Sequence, residues 1–336
     1  MSHGELFIQP AYLDALHGSG SASPESGWQH LPELAPMAYL KSHSWGEFVF
    51  DFEIANAYRQ VGMEYYPRLV LAVPFTPVSG PRLCGLTAPA LEQAVAEHEA
   101  SSAHVLFAQT EDIEALTQAG WLARQDLRYV WRDRGFADFE GFLSALASKK
   151  RKNIRAERRS VAALGLDIRW QDAGEFSAEE WQQLYRLYTH TYAVRGQAAY
   201  LEASCLRAWA RDLAEQFVFC VARRDGELVA MAFFFRDHDT LYGRHWGSSL
   251  AADKLHFELC YYQGIEYCLA HGLTTFDAGV QGSHRILRGF EAELSRSAHW
   301  FADARFQRAL ARAFEQERTE IERYLEQARS HSAYAR

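Results

Sequence analysis

The 336-residue chain lacks the signatures of several large protein classes. Its five cysteines, Cys84, Cys205, Cys220, Cys260 and Cys268, are odd in number and never form a CxxC pair. That excludes a disulfide framework or a zinc ribbon, and reduced thiols in a cytosol are the expectation. No apolar run reaches the ~18 residues of a membrane-spanning helix. The opening MSHGELFIQP has no basic start followed by an apolar stretch, so no export signal is expected and the chain reads as cytoplasmic. There is no GxGxxG opening a helix, no GxxxxGK[ST] and no GxSxG, which leaves nucleotide- and serine-hydrolase chemistry without a motif. The fourteen histidines show no HExxH or HxxH spacing, so no metal site is expected.

What is present is globular: 48% apolar and 23% charged residues, and a length that corresponds to about two domains at ~150 residues each. The net charge is −8, yet KKRKNIRAERR (149–159) carries seven basic residues against one glutamate. A basic element on an acidic body points to one local anionic partner rather than to a broad nucleic-acid surface.

Residues 1–36 are loosely patterned and include a flexible stretch, GSGSASPESG (18–27). From Asp51, a candidate N-cap, helix and strand alternate: a helix to about Gly62, with Ile54, Ala55 and Tyr58 on one face; strand 68–74; helix 88–100; strand 104–108; helix 110–120; strand 128–131. One long helix is expected from about Ala137 to Leu164, with Phe139, Phe142, Leu143, Leu146 and Ala147 as its apolar stripe. A strand at 167–170, helices near 177–193 and 200–214, and strands 217–223 and 228–235 follow. Asp225-Gly226 between the last two is a hairpin signal. Strand 240–247, helix 254–272, strand 274–279, a strand near 297–301 and a charged helix from about Asp303 to Ala328 complete the chain. The pattern predicts an α/β fold of two related units, 1–134 and 135–336, each a mixed twisted sheet flanked by helices.

Four stretches can carry chemistry. Along the basic helix, Lys149, Arg151, Lys152, Arg155, Arg158 and Arg159 can grip phosphates by charge and bidentate contacts. In LHFELCYYQGIEY, α-helical spacing puts His256, Cys260, Gln263 and Tyr267 on one face and Glu258 and Tyr262 on another. FDAGVQGSHRILRGF (276–290) leaves the end of a strand, where open α/β sheets hold ligands. It offers Asp277, Gln281, Ser283, His284, Arg285 and Arg288, with His284 able to exchange a proton near neutrality. KSHSWGEFVFD (41–51) offers Lys41, His43 and Ser44 as a pocket rim.

Together with YYPRLVLAVPFTPVSGPRL and LYGRHWG, these stretches resemble the FemAB-like family, a bacterial group of N-acyltransferases labelled for peptidoglycan biosynthesis or recognition. The family is similar to the Fem-type ligases that build cross-bridges from aminoacyl-tRNA, and it falls in the GNAT superfamily. The resemblance implies two GNAT-like units and transfer of an acyl or aminoacyl group to an amine of a small molecule or peptide. It implies no tightly bound cofactor; the co-substrate is acyl-CoA or aminoacyl-tRNA. On this basis the acceptor falls near Lys41, His43, Ser44, Tyr242, Arg244 and Trp246, and the chemistry near His256, Gln281 and His284. His284 is the candidate base, and Arg244, Arg285 and Arg288 are the candidates for anion binding or oxyanion stabilisation. The chain departs from the family at Ser283, where relatives carry glutamate in Gly-Glu-His-Lys, and at Val130, where they carry histidine. A non-catalytic peptide- or RNA-binding protein on the same fold is the alternative reading.

Overall fold

A computed structural model describes residues 4–280 and 282–335. In chain order the strands are β1 Trp28–His30, β2 Ala38–Lys41, β3 Arg68–Leu71, β4 Ser102–Val105, β5 Leu122–Arg132, β6 Asp167–Asp172, β7 Phe217–Arg224, β8 Glu227–Arg236, β9 Thr240–Ser248, β10 Thr275–Asp277 and β11 Glu291–Phe301. The helices are α1 Pro10–Gly18, α2 Phe52–Gln60, α3 Ala88–Glu97, α4 Thr110–Gln118, α5 Phe139–Ala145, α6 Ser148–Ala162, α7 Ala178–Ala193, α8 Ala203–Asp212, α9 Leu255–Phe257, α10 Gln263–His271 and α11 Ala304–Ser330. A π turn, Glu258–Tyr262, joins α9 to α10. The fold class is mixed α/β, as the alternation implied. No helix among the described residues is long and apolar enough to cross a membrane.

The chain forms two compact units, Met1–Leu127 with Leu294–Leu325, and Arg128–Glu293 with Glu326–Arg336. Residues 294–325, which linear order leaves in the C-terminal half, pack with the first unit because β11 pairs antiparallel with β4.

In the first unit, β1, β2 and β3 are antiparallel neighbours and β3 pairs parallel with β4. One sheet face carries Leu69, Leu71, Ala103, Val105 and Ala298 and packs on Leu91 and Val95 of α3 and Ile113 and Leu116 of α4. Ile54 and Tyr58 of α2 join Tyr65, Phe301 and Phe314 in a second cluster, the one-faced spacing read from the sequence. Residues 1–36 are more regular than expected, with α1 burying Tyr12, Leu13, Ala15 and Leu16.

In the second unit, β10 pairs antiparallel with β5 and parallel with β9, and β9, β8, β7 and β6 continue antiparallel. The Asp-Gly hairpin forms between β7 and β8. Asp225 (φ 52°) and Gly226 (φ 87°) both take the left-handed conformation that a tight two-residue turn requires. The expected single helix over 137–164 is two helices. Asp138 caps α5 by accepting from Gly141 N at 2.7 Å. The backbone then turns extended at Leu146, because Ala147 N donates to Ala333 O and Ala335 N to Ala145 O, both at 2.9 Å. The terminal segment thus claims the hydrogen bonds that would have continued the helix.

α7 lies so close to β9 that a Cβ on Gly247 would stand 2.0 Å from the Leu187 carbonyl oxygen. The obstacle is helix backbone and cannot turn aside. Gly247→Ala is therefore expected to lose about 1–3 kcal/mol of stability or more, read as a lowered urea midpoint; an unchanged midpoint would refute the close approach.

Candidate functional site

The second unit gathers most of the candidates around the π turn. A π turn places an extra residue in the helical ladder, and this one changes which side chains meet. α-Helical spacing pairs His256 with Cys260; in the structure it is Tyr261, five residues on, that lies against His256, with ring centroids 5.3 Å apart. Burial pushes the Cys260 thiol up and the His256 imidazole down to about 3, the latter aided by Arg285 and His284. A thiolate–imidazolium nucleophile has no support there, because neither group takes its charged form near neutrality.

His284 sits on a short 3-10 segment, Ser283–Arg288, after β10. Its Nε2 is 3.0 Å from the Tyr261 hydroxyl, and its ring is 5.4 Å from Phe257 and 6.4 Å from His256. Burial, then Arg285 and Arg288, hold the imidazole below its usual range. Arg285 Nε donates to the same Tyr261 hydroxyl at 3.2 Å. Gln281, expected beside them, lies outside the described residues.

Two ion-pair groups hold this segment in place. Arg288 donates to both Glu157 oxygens (2.7 and 3.2 Å), to the Tyr262 hydroxyl (3.0 Å) and to His284 O (2.9 Å), and it lies 3.5 Å from the Phe257 ring centre. Tyr262 also donates to Glu157. Arg158 is bidentate to Glu258 (3.2 and 2.9 Å) and to Glu266 (2.7 and 3.0 Å). α6 is thus pinned to the π turn and to the His284 loop.

The basic run therefore divides. Arg158 is held by Glu258 and Glu266, and Arg155 pairs with Glu140. Arg151 donates to Ser144 O at 3.2 Å. Lys149, Lys152 and Arg159 are exposed and have no ion-pair partner among the described residues. Arg288, grouped by sequence with the anion-binding residues, spends its donors on Glu157, Tyr262 and His284. Glu157 and Tyr261 carried no signal in the sequence: the first was the lone acid in a basic stretch, the second was off the α-helical face.

Asp277 closes β10 and accepts from Gly279 N at 2.8 Å and from Arg128 Nη1 at 3.2 Å. On β9, Phe233 pairs with His245 and Phe234 with Gly243, which makes Arg244 the extra residue of a β-bulge, a device that re-aims a side chain. Trp246 packs edge-on to His256 at 5.1 Å. Tyr242 is fully buried and donates to Asp237 at 2.6 Å.

Lys41, His43 and Ser44 belong to the first unit. Lys41 and Ser44 are in its interior rather than on a rim, and His43 is half-buried, accepting from Trp45 N at 3.2 Å. Lys41 lies 3.7 Å from the Trp28 ring centre, and burial lowers its ammonium to about 7 against the pull of Glu47. Arg68, 1% exposed, pairs with Glu47 and, at 3.0 Å, with Asp51. Tyr65 donates to Asp51 at 2.6 Å and lies 3.3 Å from His104, whose other nitrogen is 2.7 Å from His299. Burial holds both histidines well below their usual range. Asp51 stands at the N-cap of α2 but makes no side-chain cap bond, because its carboxylate is taken by Ser44, Tyr65 and Arg68.

A family model described as peptidoglycan biosynthesis/recognition matches residues 1–336. The chain belongs to the FemAB-like family. No curated protein sequence matches this FemAB-like chain significantly. Among solved structures it is similar to L-PGS from Bacillus licheniformis, at 13% identity and a TM-score of 0.54, over 91% of this chain and 96% of that one. That likeness speaks to the fold alone. FemX is also matched, at 11% identity and a TM-score of 0.46, over 80% of this chain and 96% of FemX.

Proposed function

We propose that this FemAB-like protein transfers an acyl or aminoacyl group from an activated donor, acyl-CoA or aminoacyl-tRNA, to the amine of a small molecule or peptide related to peptidoglycan. One observation carries the reading: a half-buried imidazole, His284, held neutral by burial and by Arg285 and Arg288, hydrogen-bonded to Tyr261 and fixed at its own carbonyl by Arg288. The step needs such a group. The amine nitrogen attacks the donor carbonyl carbon, a C–N bond forms, and the nitrogen's proton passes to the imidazole. The C–S or C–O bond then breaks, and the leaving thiolate or ribose oxygen takes that proton. Arg285 and Arg244 are the candidates to stabilise the oxyanion. No tightly bound cofactor enters this scheme.

The test is turnover. Purified protein with acyl-CoAs or charged tRNA and a panel of amines, including lysine-bearing stem peptides, is expected to release CoA or tRNA only when an amine is present. No release with any pair would overturn the reading and favour a non-catalytic binder.

Donor phosphates are assigned in this scheme to the exposed part of α6. Exposed charges are worth about 0.2–1 kcal/mol each, so changing Lys149, Lys152 and Arg159 together to glutamine is expected to weaken donor binding about 3- to 100-fold and to flatten its salt dependence. Unchanged affinity and salt slope by calorimetry would remove α6 from the donor site.

A further inference from the structure

Two helices of the second unit share a cavity that no part of the transfer scheme uses. It measures about 220 Å³ and is lined by Trp181, Gln182, Tyr185 and Arg186 of α7 and by Ala203, Leu206 and Arg207 of α8. In both helices these residues recur three and four apart, the spacing of a single helical face. Leu206 is fully buried, and Trp181 is fixed edge-on against Phe176 and Phe219, each at 5.7 Å. Gln182, Arg186 and Arg207 are exposed and form the rim.

Both charged groups of the lining are guanidinium groups, and neither is spent. Arg207 has no ion-pair or hydrogen-bond partner among the described residues. Arg186 donates through Nε to Gln182 O at 3.3 Å, which leaves its two Nη groups unused. The Tyr185 hydroxyl likewise has no hydrogen-bond partner among the described residues. Glu202, at the start of α8, adds to the burial that pushes the Tyr185 hydroxyl up, but it does not line the cavity. The walls therefore carry two cations and no carboxylate.

Volume, wall and charge together select the ligand. An apolar cavity of ~150 Å³ admits benzene, so this one has room for a phenyl ring and a short tail. A sugar or a nucleotide would set its polar groups against Leu206, Ala203 and the Trp181 ring without partners. An organic cation would meet two groups of its own sign. A carboxylate at the rim instead presents two acceptor oxygens to the planar fork of a guanidinium. We propose that the cavity between α7 and α8 binds a small monocarboxylate whose apolar body is the size of one phenyl ring with a short alkyl tail. No residue of the His284 site lines the cavity, and the inference does not depend on the transfer reading.

The probe is 3-phenylpropionate, titrated into the full-length protein by calorimetry and by ligand-observed NMR. Its neutral and cationic counterparts, 3-phenylpropan-1-ol and 3-phenylpropylamine, separate charge from shape. Saturable binding of the acid in the millimolar range or tighter is expected, with the alcohol weaker by about 3- to 30-fold and the amine weaker still. Arg186→Gln/Arg207→Gln is expected to weaken the acid by that same factor and to leave the alcohol unchanged. Its thermal midpoint stays parental because both side chains are exposed. Ala203→Leu fills the cavity and is expected to weaken acid and alcohol alike; if it unfolds the protein, the arginine variant carries the test alone. No saturable binding of the acid overturns the proposal, as does an alcohol bound as tightly as the acid or a folded arginine variant with parental affinity. So does concentration-dependent dimerisation that Ala203→Leu abolishes while the acid does not bind, since the cavity would then be a contact between copies. These are binding measurements, so their failure leaves the transfer reading untouched, and failed turnover leaves the cavity untouched.

Discussion

Replacing His284 by alanine is expected to lower turnover about 10²–10⁴-fold, the range for losing a general base, while the protein stays folded. The side chain is half-buried and its ring nitrogen meets one partner, the Tyr261 hydroxyl, so little packing is lost. The pH profile separates a base from a structural residue. The imidazole accepts a proton only when neutral, so the rate rises as pH rises through its pKa. Burial, Arg285 and Arg288 lower that pKa, which puts the midpoint below the ordinary ~6.5 and the plateau across neutral pH. Arg288→Met removes one of the cations and the bond to His284 O; the midpoint is then expected to move up and the rate to fall. A parental midpoint above neutrality, or a His284→Ala enzyme with the parental profile, would assign the proton transfer elsewhere.

Arg68→Met is expected to be the most destabilising single change in the first unit, costing about 3–5 kcal/mol at neutral pH. The guanidinium is the cation shared by Glu47 and Asp51, and all three side chains are at most 5% exposed. Removing it leaves two buried carboxylates with Lys41, whose nearest approach to Glu47 is 3.9 Å. Burial already pushes the Glu47 carboxyl up against the pull of Arg68, so in the variant Glu47 favours its proton more strongly in the folded state than in the unfolded chain. The deficit is therefore largest at neutral pH and shrinks as pH falls toward the carboxylate range. Adding Glu47→Gln and Asp51→Asn to Arg68→Met is expected to recover part of the loss, since the uncompensated charge goes with them. Urea unfolding at two pH values reads both effects. A loss under about 1 kcal/mol for Arg68→Met would mean that the cluster does not hold the 42–52 loop.

The elements found most readily in the sequence are those decided by near neighbours. Asp225-Gly226 makes its turn because both residues tolerate positive φ, and the face of α2 follows from Ile54 and Tyr58 one turn apart. The resemblance that led to the family rested on blocks spread along nearly the whole chain, and the match over residues 1–336 agrees. The candidate site was legible as a set of stretches, not as a set of contacts. His284 and Arg285 were singled out, whereas Tyr261, which the structure brings against both, was not, because a π turn alters the spacing that an α-helical reading assumes. Arg68 and His104 lie in strands that read as apolar runs, and nothing local marks them as buried members of a charged network.

The sequence by itself determined the hairpin, most helix and strand positions and the loop that carries His284, because each depends on residue types within a turn or two of one another; the α/β class followed from the order of those elements and the family from blocks along the chain. Tertiary structure alone decided where α5 ends, which arginines of the basic run are spent on Glu140, Glu258 and Glu266, and which ring meets His256. It also decided that Lys41 faces the interior while Trp45 faces the solvent. These outcomes depend on partners as far apart as Arg158 and Glu258, or Ala147 and Ala333. A charge or a carbonyl takes whichever partner folding brings within reach, and no local period records that choice.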